Sequence, residues 1–168
     1  MKAKFITGAL LPRGLMKASR LVLGIGSPLI CDDALGFRVV EELEAMKIPD
    51  LDLDQQSVSG LDLIEIMMDY QKVIVVDAIV TEQFPAGTVM LLEPADFKNA
   101  IHGSNPHEVN IHMAIELGRT LAPDRMPKDI SFVAVEVNDV WTVTDQMTDE
   151  VKAAVPAAVQ AVMKLLEG

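Results

Sequence analysis

Short apolar runs of strand length alternate along this chain with longer stretches whose apolar residues recur at helical spacing. This alternation is typical of βαβ units, in which helices cover a mostly parallel sheet. We therefore predict an α/β domain with about five strands. The predicted strands cover residues 20–25, 51–58, 73–78, 87–92 and 130–136, and the predicted helices cover 34–46, 61–69, 108–121 and 149–166.

Turn residues and one proline refine this prediction. Only a short segment with turn residues separates Val73–Ala78 from Thr88–Leu92, so we expect the second strand to be antiparallel or to lie at a sheet edge. Thr148 directly precedes the last predicted helix and suits an N-cap position. Pro156 lies inside that helix and predicts a kink or a break, because proline has no N–H to donate.

The length of 168 residues suits one domain, which we assign to residues 18–168. Residues 1–17 differ from the acidic remainder because they carry four basic side chains and no acid. They also lack the long apolar core and the cleavage site of a secretion signal. We therefore predict that residues 1–17 are a poorly ordered N-terminal extension.

The acidic composition narrows the partners that this chain can have. A formal charge of −11 and a pI near 4.6 argue against binding to nucleic acid or to anionic lipid. No apolar run is long enough to span a bilayer, so we expect no membrane insertion. The single cysteine, Cys31, cannot form an intrachain disulfide, which fits a reducing compartment such as the cytoplasm.

Glycines directly follow the first predicted strand, in the sequence Gly24-Ile25-Gly26. A dinucleotide-binding turn would need a third glycine at position 29, which is leucine, and Pro28 removes a backbone donor. Nucleotide binding is therefore disfavoured. The glycines instead favour a tight turn at the edge of the sheet, which would bring the acids that follow over that edge.

Acidic residues follow two of the predicted strands, at the edge where ligands bind in an open parallel sheet. Asp32 and Asp33 precede the first helix, where one acid could act as its N-cap and leave the other free for a site. Asp77 ends an apolar strand, so its charge must be paired, hydrated or bound to a cation. A structural ion pair of Asp77 with Lys72 is the alternative.

His107 is the histidine that we expect at this same edge. It follows Pro106 at a predicted helix start, and His102 precedes it in the same loop. Two carboxylates and one imidazole would form an open O,O,N ligand set that suits transient contact with a divalent metal. Cys31 is interpreted as a packing residue, because neighbouring acids disfavour its thiolate.

Several ordered motifs together resemble those of the maturation endopeptidases of [NiFe] hydrogenases. The resemblance spans about residues 19–166 and rests on four segments: Leu23-Gly24-Ile25-Gly26-Ser27-Pro28-Leu29 continuing into Asp32-Asp33-Ala34-Leu35-Gly36, then Val75-Val76-Asp77-Ala78, Pro85-Ala86-Gly87-Thr88 and Asn105-Pro106-His107-Glu108.

This resemblance implies a three-layer α/β/α sandwich and a cytosolic protease. Such a protease trims a C-terminal extension from the hydrogenase large-subunit precursor once nickel has been inserted. The family's metal-contacting residues match Asp33, Asp77 and His107, with Asp32 as a reserve acid. The metal would be nickel supplied by the precursor, and other divalent metals could occupy the site in the isolated protein.

Two alternatives remain open at the level of sequence. The first is a non-catalytic metallochaperone or metal sensor that uses the same three residues. The second is a hydrolase or phosphorylase acting on small nucleosides, which the absent phosphate loop and the acidic edge disfavour.

Overall fold

The computed structural model describes residues 17–57, 60–96 and 106–168, with the backbone alone at residues 106–110. Its strands are β1 (Arg20–Ile25), β2 (Leu51–Gln56), β3 (Lys72–Ile79), β4 (Val89–Leu92) and β5 (Asp129–Glu136). Its α-helices are α1 (Leu35–Met46), α2 (Asp62–Met67), α3 (Pro106–Leu121) and α4 (Asp149–Glu167), and a 3₁₀ turn (Cys31–Ala34) leads into α1. Within this described part of the chain, no helix is long and apolar enough to cross a membrane.

The five strands form one sheet in the order β2-β1-β3-β5-β4. All neighbouring pairs are parallel except β4 and β5, so the prediction of an antiparallel or edge strand after β3 is confirmed. β2 and β3 lie on opposite sides of β1, so the connection from β2 to β3 passes over β1. The direction in which strands are added to the sheet therefore reverses between β1 and β3. Such a topological switch point opens a crevice at the carboxyl ends of the two strands.

Helices cover both faces of the sheet, as expected for a three-layer α/β/α sandwich. Ile74 and Val76 of β3 belong to a buried cluster with α1 and α4, whereas Val73 and Val75 belong to a second cluster with α2 and α3. Side chains of a strand alternate between its two faces, so one apolar run supplies both cores.

Proline does not interrupt the last helix. Of the predicted kink or break at Pro156, the break is wrong, because α4 is a continuous helix from Asp149 to Glu167. Pro156 lies on the exposed side of α4, and Lys152, whose carbonyl loses its usual donor, is also exposed. Water can therefore replace the missing hydrogen bond.

The predicted side-chain caps are also absent. Ala34 is the N-cap residue of α1, with no side-chain capping bond, and both acids lie in the preceding 3₁₀ turn. Thr148 is the N-cap residue of α4 as predicted, but its hydroxyl bonds elsewhere. Residues 1–16 of the predicted extension lie outside the described residues. Lys17, its last residue, is described, and its ammonium group makes a cation–π contact 4.0 Å from the ring centroid of Tyr70.

Candidate active site

Three glycines allow the 3₁₀ turn to pack directly on the carboxyl ends of β1 and β3. Gly26 has a φ of 140°, and a Cβ atom at this position would lie 1.9 Å from the carbonyl oxygen of Asp33. A Cβ atom on Gly24 would lie 2.4 Å from the carbonyl oxygen of Gly36. A Cβ atom on Gly36 would lie 2.7 Å from the carbonyl oxygen of Val76. Only glycine permits this approach, which confirms the predicted tight turn.

Asp33 and Asp77 lie at the same edge of the sheet as a result. Asp33 is half-buried in the 3₁₀ turn, whose continuation at Gly36 contacts Val76, the residue before Asp77. The side chain of Asp77 is 9% exposed and is on the α2/α3 face of β3, since it alternates with Val76. The two acids thus flank the switch point between β1 and β3.

The length of α3 allows His107 to reach this edge. The turn that follows α3 lies beside the start of β3, because the N–H of Asp69 donates to the carbonyl of Arg125 over 2.7 Å. An α-helix of 16 residues is about 24 Å long, roughly the length of β5, so α3 is long enough to extend from this turn to the carboxyl ends of the strands. His107 is the second residue of α3.

The third ligand of the predicted site lies outside the part of the chain that can be described in atomic detail. The side chain of His107 and the whole of His102 are outside the described residues. Among the side chains that are described, no three His, Cys, Asp or Glu residues form a group that could hold a metal ion. Asp33, Asp77 and His107 therefore stay a predicted set.

Asp32 has a structural role instead of a reserve role in the site. Its carboxylate is completely buried and accepts bonds from the N–H of Thr148 at 2.8 Å and from the Thr148 hydroxyl at 2.9 Å. A weaker bond of 3.4 Å comes from the N–H of Asp139. Asp32 thereby fastens the start of α4 and the loop after β5 to the turn that carries Asp33.

We expect Asp32→Asn to lower the free energy of unfolding by about 2–3 kcal/mol. An asparagine cannot present acceptors on both sides, so its NH₂ group would face one of the N–H donors of Thr148 or Asp139. Urea unfolding measures this loss. Asp124→Asn, in an exposed turn, is the control and should change the stability by less than about 0.5 kcal/mol.

Glu136 is a third buried carboxylate at this edge, and the sequence analysis did not single it out. It is 1% exposed, and its Oε1 accepts the N–H groups of Thr81 and Glu82 at 2.7 and 2.9 Å. Its Oε2 accepts the hydroxyl of Thr81 at 2.6 Å. Glu136 therefore orders the loop that follows β3, a few residues after Asp77. An acid that ends an apolar strand, the signal that marked Asp77, would have found it.

Cys31 is a packing residue, as predicted. Its side chain is 5% exposed, and burial, followed by the negative charge of Asp32, raises the pKa of the thiol. The thiolate is therefore disfavoured at neutral pH, and a nucleophilic role does not fit this cysteine.

Comparisons with known proteins assign the chain to a family. The profile described as HycI: Hydrogenase maturation protease matches residues 37–165. The "Hydrogenase 2 maturation protease" of Escherichia coli (strain K12) is 32% identical over 152 residues, which cover 87% of this chain and 89% of that protein. The chain belongs to the hydrogenase maturation protease family. It is therefore a hydrolase that acts on peptide bonds, as the resemblance of its motifs implied.

Solved structures of hydrogenase maturation proteases share this fold. The hydrogenase maturating endopeptidase HybD from E. coli superposes with a TM-score of 0.75 at 28% identity, covering 88% of this chain and 91% of that chain. The [NiFe] hydrogenase maturation protease HybD from Thermococcus kodakarensis shares the fold with a TM-score of 0.69 at 22% identity, covering 87% and 97% of the two chains. The nucleoside-directed alternative has no support from these relatives.

Proposed function

We propose that this protease removes the C-terminal extension of a [NiFe] hydrogenase large-subunit precursor after nickel has been inserted. Asp33, Asp77 and His107 would contact the nickel that the substrate carries. The observation that supports this most is the shared position of Asp33 and Asp77 at the crevice between β1 and β3. Family membership supplies the reaction class.

The chemistry of the three side chains fits a metal that arrives with the substrate. Two carboxylates and one imidazole offer three donors and leave other coordination positions open. Such a set holds a free ion weakly, whereas it can complete the coordination of a nickel ion already bound in the precursor. Asp77 is well shielded from water, which strengthens its attraction to a cation.

Contact with the substrate's nickel would fix the scissile peptide bond next to the two carboxylates. Positioning of this kind removes much of the entropic barrier to hydrolysis. A carboxylate that binds the metal through one oxygen keeps its second oxygen, which can accept a proton from an attacking water. The nickel can also polarise the scissile carbonyl, so metal and carboxylate act on the same bond.

A site that depends on the substrate's metal makes cleavage conditional on nickel insertion. We expect the purified protein to trim the nickel-loaded precursor and to leave the nickel-free precursor intact, with initial rates that differ by at least about 100-fold. Intact-mass measurement of the large subunit detects the loss of the extension. The two precursor samples are matched in concentration and differ only in nickel.

Equal trimming of both precursors would contradict the nickel-dependent part of this proposal and leave the peptidase assignment unaffected. The metallochaperone alternative predicts a different outcome. It requires stoichiometric binding of metal by the isolated protein and no change in the mass of either precursor. We assign the activity to the cytoplasm, in keeping with the single, buried Cys31.

A further inference from the structure

Large apolar side chains are exposed at the edge of the sheet that carries Asp33 and Asp77. Two of them, Trp141 and Val143, are 64% and 82% exposed in the loop after β5, which is bridged to the loop after β1. They are separated by one residue of a locally extended segment, so they lie on the same side of it. We call these two residues the apolar platform. Exposed apolar groups of this size at one place mark a surface that binds another molecule.

The apolar platform has a fixed shape. Ile30 forms a β-bridge with Val143, and the N–H of Cys31 donates to the carbonyl of Thr142 over 3.1 Å. The N–H of Thr144 donates to the carbonyl of Leu29 over 3.0 Å, so backbone bonds join the two loops on both sides of the bridge. A surface that is ordered before binding loses little entropy when a partner docks.

The platform is continuous with the turn that carries Asp33. Ile30, the bridge partner of Val143, lies three residues before Asp33, and the buried Asp32 between them accepts a bond from the N–H of Asp139, two residues before Trp141. The platform therefore lies beside the turn that would meet the scissile peptide. This makes the platform an extension of the proposed active site.

The segment that carries the platform is acidic, and cations approach it at Asp145, where Arg38 and Lys152 line the same depression. Residues 138–150 contain four acids and neither lysine nor arginine: Asp139, Asp145, Asp149 and Glu150. Hydrogen bonds from the side chain of Thr142 and then, with a smaller effect, from its backbone lower the pKa of Asp139. The carboxylate of Asp139 therefore stays ionised near neutral pH. On the side of Asp139 the surface thus combines an apolar centre with a negative border, and the complement of that side is an apolar patch bordered by Lys or Arg.

We propose that the apolar platform docks the folded large-subunit precursor, through an apolar patch of that protein with a basic border. The inference rests on the proposed function, because it takes the same precursor as the partner. A second copy of this chain is a poorer occupant. In a symmetric dimer, two acidic margins would face each other across the twofold axis and repel.

Docking through the platform changes how well the precursor binds and leaves the hydrolytic step unaltered. Neither of the two side chains carries a group that can act on a peptide bond. Exposed tryptophan that becomes buried is a frequent energetic centre of protein interfaces. Loss of the platform should therefore raise KM for the precursor and leave kcat nearly constant.

The test compares the double variant Trp141→Ala/Val143→Ser with wild type and with Leu121→Ser. Leu121 is 70% exposed, at the end of α3 and at the opposite edge of the sheet, so it controls for the loss of an exposed apolar side chain. Trimming of the nickel-loaded precursor gives kcat and KM, and titration of labelled precursor gives Kd. Thermal unfolding checks that all three proteins are folded. If the double variant does not fold, the single variant Trp141→Ala replaces it in the same measurements.

We expect the platform variant to raise KM and Kd by about tenfold or more, with kcat within about twofold of wild type, and Leu121→Ser to match wild type. Unchanged KM and Kd in an active platform variant would overturn the docking proposal and leave the proposed function standing. A wild-type protein that binds the precursor through Trp141 without cutting it would overturn the proposed function alone. Self-association of wild type that the platform variant abolishes would assign the surface to a second copy instead.

Discussion

The Asp77→Asn variant should leave the large-subunit precursor untrimmed, with kcat/KM lowered by at least about 100-fold. The substitution keeps the shape of the side chain and removes its charge, which is the property that both proposed roles of Asp77 require. A neutral amide is a much weaker ligand for nickel and cannot accept a proton from water. Since Asp77 is only 9% exposed, water has little access to this position and cannot take over the role of the carboxylate.

Co-expression of the large subunit with each variant, followed by intact-mass measurement, tests this expectation. Asp129→Asn is the matched control, because Asp129 is also a strand aspartate but starts β5 at the opposite edge, where its half-exposed carboxylate pairs with the largely buried Lys72 at 3.2 Å. Lys72 keeps its bond to the carbonyl of Leu165 in this variant, so the variant should fold and trim normally. Persistent trimming by a folded Asp77→Asn protein would remove Asp77 from the mechanism.

The strands were predictable because most of them are buried on both faces. A run such as Val73–Val76 is apolar at every position, and the observed β3 differs from the prediction by one residue at each end. The edge position of β4 followed from the short connection before it. In these elements the local pattern and the tertiary environment demand the same residues, so sequence alone identifies them.

The separate roles of the two adjacent acids were not predictable. Successive residues of a 3₁₀ turn point about 120° apart, so Asp32 enters the interior while Asp33 stays at the edge. Which acid turns inwards depends on Thr148, a partner 116 residues away in the sequence. Local patterns carry no information on such a contact.

An acid at the end of an apolar strand proves to be an ambiguous signal. Asp77 and Glu136 both have this pattern, on neighbouring strands. Both carboxylate oxygens of Glu136 accept hydrogen bonds from the loop at Thr81 and Glu82, and the side chain is shielded from solvent. The pattern therefore identifies a carboxylate that needs a partner, and only the fold tells whether that partner is the protein's own backbone.

Gly26→Ala should both destabilise the domain, by about 3–5 kcal/mol, and abolish trimming. A Cβ atom at position 26 would lie 1.9 Å from the carbonyl oxygen of Asp33 and 3.5 Å from its Cγ. Relief of this clash requires the 3₁₀ turn to move away from β1, and Asp33 moves with it. The same shift weakens the bond from the N–H of Ser27 to the carbonyl of Asp33, now 3.3 Å.

Gly60→Ala separates the effect of the clash from that of backbone strain. Gly60 also has a positive φ, 80°, but among the described residues no atom lies within 4 Å of the place that an alanine Cβ would take. Strain alone should therefore cost this variant about 1 kcal/mol and leave trimming intact. Urea unfolding and intact-mass measurement on both variants give the two comparisons. If Gly26→Ala lost no more stability than Gly60→Ala and still trimmed the precursor, Asp33 would not need close contact with β1 for catalysis.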